Sequence, residues 1–160
     1  MKLPRERTES EEFGGGRPGL VLCKKCTSAY FKKSWHHDLE GVKDFRKDLP
    51  INFTVCPACA MIANGQYEGR ILIRNVPEKI FDELDGLIRN FCTKAFERDS
   101  QDRLIGIKKS SLNWEVTTTE NQLANKLAKK IKDVFDSVEI KTKFSGAPSD
   151  VVNITIDFLK

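Results

Sequence analysis

Apolar and polar residues fall into regular periods only in the second part of the chain. Arg70–Val76 is a β-rich apolar run that predicts a strand. Asn75, Pro77 and Glu78 form a helix-start signature, after which Ile80, Leu84, Leu87, Ile88, Phe91 and Ala95 recur on one face at helical spacing. Cys92 lies on that inward side and is expected in the core. Leu104–Ser110 and Trp114–Thr118 predict two short strands joined by a turn. Thr119 and Gln122 give a second capping signature. It opens a helix with Leu123, Leu127, Ile131, Val134 and Phe135 inward and Lys126, Lys129, Lys130 and Lys132 more outward. Val138–Phe144 and Val151–Phe158 alternate as strands on either side of a turn at 146–150. Strand, helix, strand, strand, helix, strand, strand is the order of a ferredoxin-like split βαβ sandwich over residues 69–160, with an extra C-terminal strand.

Residues 20–67 have no such period, only short apolar runs such as Val21-Leu22 and Phe53–Val55. A segment of that kind needs something other than a hydrophobic core to organise it, and a bound metal is the usual substitute. Residues 1–19 combine charges with Gly14, Gly15, Gly16 and Gly19 and almost no apolar content, which predicts a flexible arm. The expected organisation is therefore an arm (1–19), a four-cysteine module (20–67) and an α+β domain (69–160).

The module supplies the chemistry. Cys23 and Cys26 form one Cys-x-x-Cys pair, Cys56 and Cys59 a second, with twenty-nine residues between them. In each pair the spacing lets both sulfurs point inward from a tight turn, and two such knuckles face to face make the tetrahedral S₄ shell that Zn²⁺ or iron favours. Two pairs in 160 residues point to one metal ion bound by Cys23, Cys26, Cys56 and Cys59. Zn²⁺ is the expected cofactor and iron the alternative. His36 and His37 lie between the pairs as competing ligands, with surface imidazoles the simpler reading once four cysteines are in place.

Composition and charge narrow the setting. Charged residues make up 31% of the chain and apolar residues 39%, as in a soluble globular protein. No stretch approaches the ~20 apolar residues that span a bilayer, and the N-terminus is too polar for a signal peptide. A cytoplasmic location is expected, with no membrane partner; there, paired cysteines favour metal over disulfides. The net charge is +4, and the excess sits around the cysteines: residues 20–60 hold seven Lys/Arg against Asp38, Glu40, Asp44 and Asp48. Lys24, Lys25, Lys32 and Lys33, with Tyr30 and Trp35, are candidates for phosphate contact and base stacking. Lys126, Lys129 and Lys130 form a second candidate surface.

These residues carry two resemblances. Cys23-x-x-Cys26-x-x-x-Tyr30, Asp48-Leu49-Pro50 and Cys56-Pro57-x-Cys59 resemble rubredoxin, which implies iron and one-electron transfer; Thr27 and Ala60 occupy positions that hold glycine in that family. The second resemblance covers roughly residues 20 to 158. Cys23-x-x-Cys26-x-x-x-Tyr30 with Trp35, Cys56-Pro57-Ala58-Cys59, Gly69 before an apolar strand, Arg103-Leu104-Ile105 and Thr117-Thr118-x-x-x-Leu123-Ala124 are similar to small prokaryotic proteins grouped with the nonsense-mediated-decay-type ribosome export adaptors. That resemblance implies a double Cys-pair zinc ribbon and a non-enzymatic, RNA- or ribosome-associated role. The fold class expected is α+β, a rubredoxin-like or zinc-ribbon knuckle module followed by the ferredoxin-like domain.

No Walker loop, HExxH or nucleophile elbow occurs in the chain. Four thiolates close a zinc shell, whereas a catalytic zinc keeps an open position. A binding module is therefore expected rather than an enzyme. Its partner is RNA, a ribosome or a protein; an iron electron carrier and a protein-interaction domain with a purely structural zinc are the alternatives. Oligomeric state is not encoded in any pattern found.

Overall fold

The computed structural model describes residues 20–31, 33–37, 51–145 and 150–159. The expected arm, Lys32, residues 38–50 and part of the turn at 146–150 lie outside the described residues. Two mixed sheets and three helices make up an α+β architecture.

The first sheet contains β1 (Leu20–Cys23), β2 (Ala29–Phe31), β3 (Ser34–His36) and β4 (Ile51–Thr54) in the order β3-β2-β1-β4. β1 to β3 run antiparallel in sequence, and Lys33 turns the β2–β3 hairpin with a left-handed φ of 66°. β4 pairs parallel to β1, with Leu20 opposite Ile51 and Cys23 opposite Thr54. This register places the end of β1, where the first cysteine pair begins, beside the end of β4, two residues before the second. Helix α1 (Pro57–Ala63) follows directly. Pro57 suits its first turn because a first-turn N–H has no intrahelical partner and the ring presets φ. With seven residues, α1 is too short to leave a periodic signature, which is why the sequence pattern did not predict it.

The second sheet contains β5 (Gly69–Arg74), β6 (Leu104–Ser110), β7 (Asn113–Thr118), β8 (Val138–Phe144) and β9 (Val152–Phe158) in the order β6-β7-β5-β9-β8. β7 lies between β5 and β6 and is antiparallel to both, so β5, helix α2 (Phe81–Arg98) and β6 form a split βαβ unit. Helix α3 (Asn121–Val134) then leads to β8. The additional strand β9 is internal, parallel to β5 and antiparallel to β8. Burial explains the placement. Val152, Ile154, Ile156 and Phe158 are all buried on β9, whereas β8 exposes Glu139, Lys141, Thr142 and Lys143, as an edge strand should. Leu84, Ile88, Cys92 and Ala95 of α2 and Leu123, Ala124, Leu127, Ala128 and Ile131 of α3 join Ile71, Ile73, Trp114, Val116, Ile154 and Ile156 in one apolar cluster.

Three local expectations are corrected. Asn75 does not cap a helix; it takes a left-handed φ of 57° after β5, a 3₁₀ turn at Glu78–Ile80 intervenes, and α2 starts at Phe81 without a side-chain cap. Thr119 does not cap α3 either. Glu120 occupies that position, and the buried Thr119 hydroxyl instead donates to the carbonyl of Gln101 at 2.7 Å and accepts the Arg103 N–H at 2.9 Å. Val134, expected inward, is exposed at the last residue of α3. No described helix is long and apolar enough to cross a membrane.

Candidate metal centre

The two cysteine pairs arrive by different routes. Cys23 ends β1, and the turn Lys24–Cys26 carries Cys26 back beneath it, closed by the Thr27 N–H donating to the Cys23 carbonyl at 3.2 Å. Thr27 then takes a left-handed φ of 63°, a conformation that strains a β-branched residue. This is one of the two positions where the rubredoxin pattern has glycine. The second pair is not a second knuckle. Cys56 caps α1, its sulfur accepting the Cys59 N–H at 3.5 Å, and Cys59 sits in the first turn. Ala60, the other glycine position, is helical.

A knuckle and a helix N-terminus together bring the four Sγ atoms within 4.8 Å of one another. A Zn–S bond of about 2.3 Å in a tetrahedron requires sulfurs about 3.8 Å apart, and Cys26 Sγ and Cys56 Sγ lie 3.7 Å apart. None of the four is in a disulfide; Cys23, Cys56 and Cys59 are buried and Cys26 half-buried. The cluster could thus hold a single ion.

Electrostatics lead to the same requirement. Burial raises the Cys26 thiol, but hydrogen bonds from Ser28, Arg103 and Cys23 outweigh it and bring the pKa down to about 6. Cys26 Sγ and Ser28 Oγ lie 3.1 Å apart. Burial likewise opposes ionisation of Cys23, yet backbone donors at Cys56, Cys26 and Lys25 lower its pKa; the Cys56 and Lys25 N–H groups reach its sulfur at 3.3 and 3.4 Å. Cys56 and Cys59 are pushed up, first by burial and then, for Cys59, by the neighbouring sulfurs Cys56 and Cys26. Four sulfurs this close cannot all ionise without a cation among them. A divalent ion would remove that conflict, held by the four thiolates of the described residues.

The loop between α2 and β6 also reaches this cage, which no sequence motif indicated. Gln101 Oε1 accepts the Ala58 N–H of α1 at 3.0 Å, and Arg103 Nη1 lies 3.9 Å from Cys59 Sγ. The Arg103 guanidinium covers the Phe96 ring at 4.7 Å. Both histidines are engaged elsewhere. His36 Nε2 meets Ser34 Oγ at 2.9 Å, and His37 packs edge-on against Phe96 and bonds its carbonyl. Among the described residues neither belongs to the ligand cluster.

The candidate nucleic-acid residues fall into two groups. Lys24 and Lys25 are exposed in the knuckle turn and Lys33 in the hairpin turn. Tyr30 and Trp35 pair across β2 and β3 with ring centroids 5.3 Å apart, both half-buried, and Trp35 packs against the cysteine cluster. Lys126, Lys129 and Lys130 are exposed on α3, in the other sheet's unit. Comparison of the chain with family profiles, curated proteins and solved structures finds no match.

Proposed function

We propose that the protein is a non-enzymatic zinc-binding module, cytoplasmic, whose metal unit (20–67) and ferredoxin-like α+β unit (69–160) hold surfaces for an RNA or ribosomal partner. The observation that carries this reading is the cluster of four sulfurs, with N–H donors at Cys23 and Cys56 and, among the described residues, no further ligand type in the cluster. Zinc in such a shell has no open position for substrate, so its contribution is to folding and shape. The resemblance to the ribosome export adaptors and the exposed lysines of the knuckle support the choice of partner.

Co-sedimentation of the purified protein with ribosomes or total RNA across a salt series tests it. Phosphate contacts by Lys24, Lys25 and Lys33 predict binding that falls steeply between about 50 and 200 mM salt, because counterions are released on association. Salt-independent binding, or no binding beside a defined protein partner, overturns the RNA reading in favour of a protein-interaction module. The rubredoxin-like alternative draws support from the N–H groups of Lys25 and Cys56 directed at Cys23 Sγ, and it requires a red, iron-loaded protein.

A further inference from the structure

We propose that the loop Ser100–Arg103, which belongs to the α+β unit, is the outer shell of the metal centre, with Arg103 as counter-charge to the thiolates and Gln101 as a clamp on the first turn of α1. The inference rests on the four-cysteine metal reading and adds positioning residues from outside the metal unit.

Two contacts from one short loop carry it. Gln101 Oε1 takes the N–H of Ala58, a first-turn donor that the helix itself leaves unpaired. Arg103 Nη1 reaches Cys59 Sγ at 3.9 Å. Among the described residues Arg103 has no carboxylate partner, and its Nη2 is buried without a hydrogen bond. Four thiolates around one Zn²⁺ leave a formal charge of −2, part of which the half-buried Arg103 guanidinium offsets. The loop is built to hold that position. Thr119 Oγ1 bonds both the Gln101 carbonyl and the Arg103 N–H, Asp99 Oδ1 accepts the Gln101 N–H at 2.9 Å, and Arg103 Nε donates to the Ser100 carbonyl at 2.8 Å. Ser100 and Thr119 are each 1% exposed. The metal would therefore tie the two units together through this loop.

Arg103→Met keeps the stem over Phe96 and removes the charge, while Arg103→Lys keeps a charge. Zinc affinity, read by competition with a chromogenic chelator, should fall about 10–100-fold in Arg103→Met and fall less in Arg103→Lys, which keeps the charge but not the stacked guanidinium. In the Co²⁺-loaded proteins the sulfur-to-metal charge-transfer band should move to lower energy in Arg103→Met and stay near the wild-type position in Arg103→Lys. Unchanged affinity and band in Arg103→Met, or equal losses in both variants, would overturn the counter-charge role. If Arg103→Met does not fold, hydrogen exchange of the wild type decides: removing zinc should speed exchange at the Arg103 amide, and no change there refutes the coupling. Wild type that binds no zinc would remove the metal reading itself. Wild type that binds zinc with Arg103→Met unaltered removes only this inference.

Discussion

Glu120 shows how closely acidic groups are drawn together where α3 begins. Burial first, then the charges of Glu68, Asp102 and Asp99, raise its pKa to about 7. A carboxyl raised on folding contributes stability that is fully present below its unfolded value and is lost as pH climbs through the folded one. For Glu120 that window runs from the ordinary glutamate range up to about pH 7. Glu120→Gln removes the penalty, so its melting temperature should gain on the wild type as pH rises from 5 to 8; a constant difference across that range would refute the assignment. At the same scale the cluster of four cysteines was legible because the paired spacing of metal ligands marks it in the chain. Gln101 and Arg103 were not, because their roles depend on a loop brought in from another unit, and no local pattern encodes that approach.

Among the elements, those with a long period were predicted closely. β8 has the expected bounds and β9 and β6 differ by at most one residue from expectation. Two of the failures lie at helix starts, where one hydroxyl or amide has competing uses. Thr119 holds the α2–β6 loop rather than capping α3, and Asn75 makes a turn. The placement of β9 inside the sheet was legible only as its unbroken buried alternation, which no strand count conveys. Gly69, at the start of β5, gives a direct test of packing between sheet and helix. A Cβ there would lie 2.3 Å from Thr118 Oγ1 and 2.5 Å from Ala124 Cβ. Gly69→Ala should therefore destabilise the protein by about 1–3 kcal/mol in urea unfolding, and a variant as stable as wild type would show that α3 can move away freely.

Across the molecule, two sheets of different construction come together around the four-cysteine cluster. The α+β unit has an apolar cluster of its own, whereas the buried part of the first unit around the site consists of Cys23, Cys56, Ala58 and Cys59, with Cys26, Trp35 and Val55 against them. An ion held by the four cysteines would add to so small a cluster among the described residues, as in metal-organised modules. The contacts of Gln101 and Arg103 would then extend that contribution into the α2–β6 loop. Elemental analysis with an absorbance spectrum, on purified wild type and on Cys56→Ser, tests this account most directly. It predicts one zinc per chain and no visible colour in the wild type, with the zinc lost in Cys56→Ser. Iron with a visible absorbance band, or a metal-free wild type with all four thiols open to titration, would contradict it.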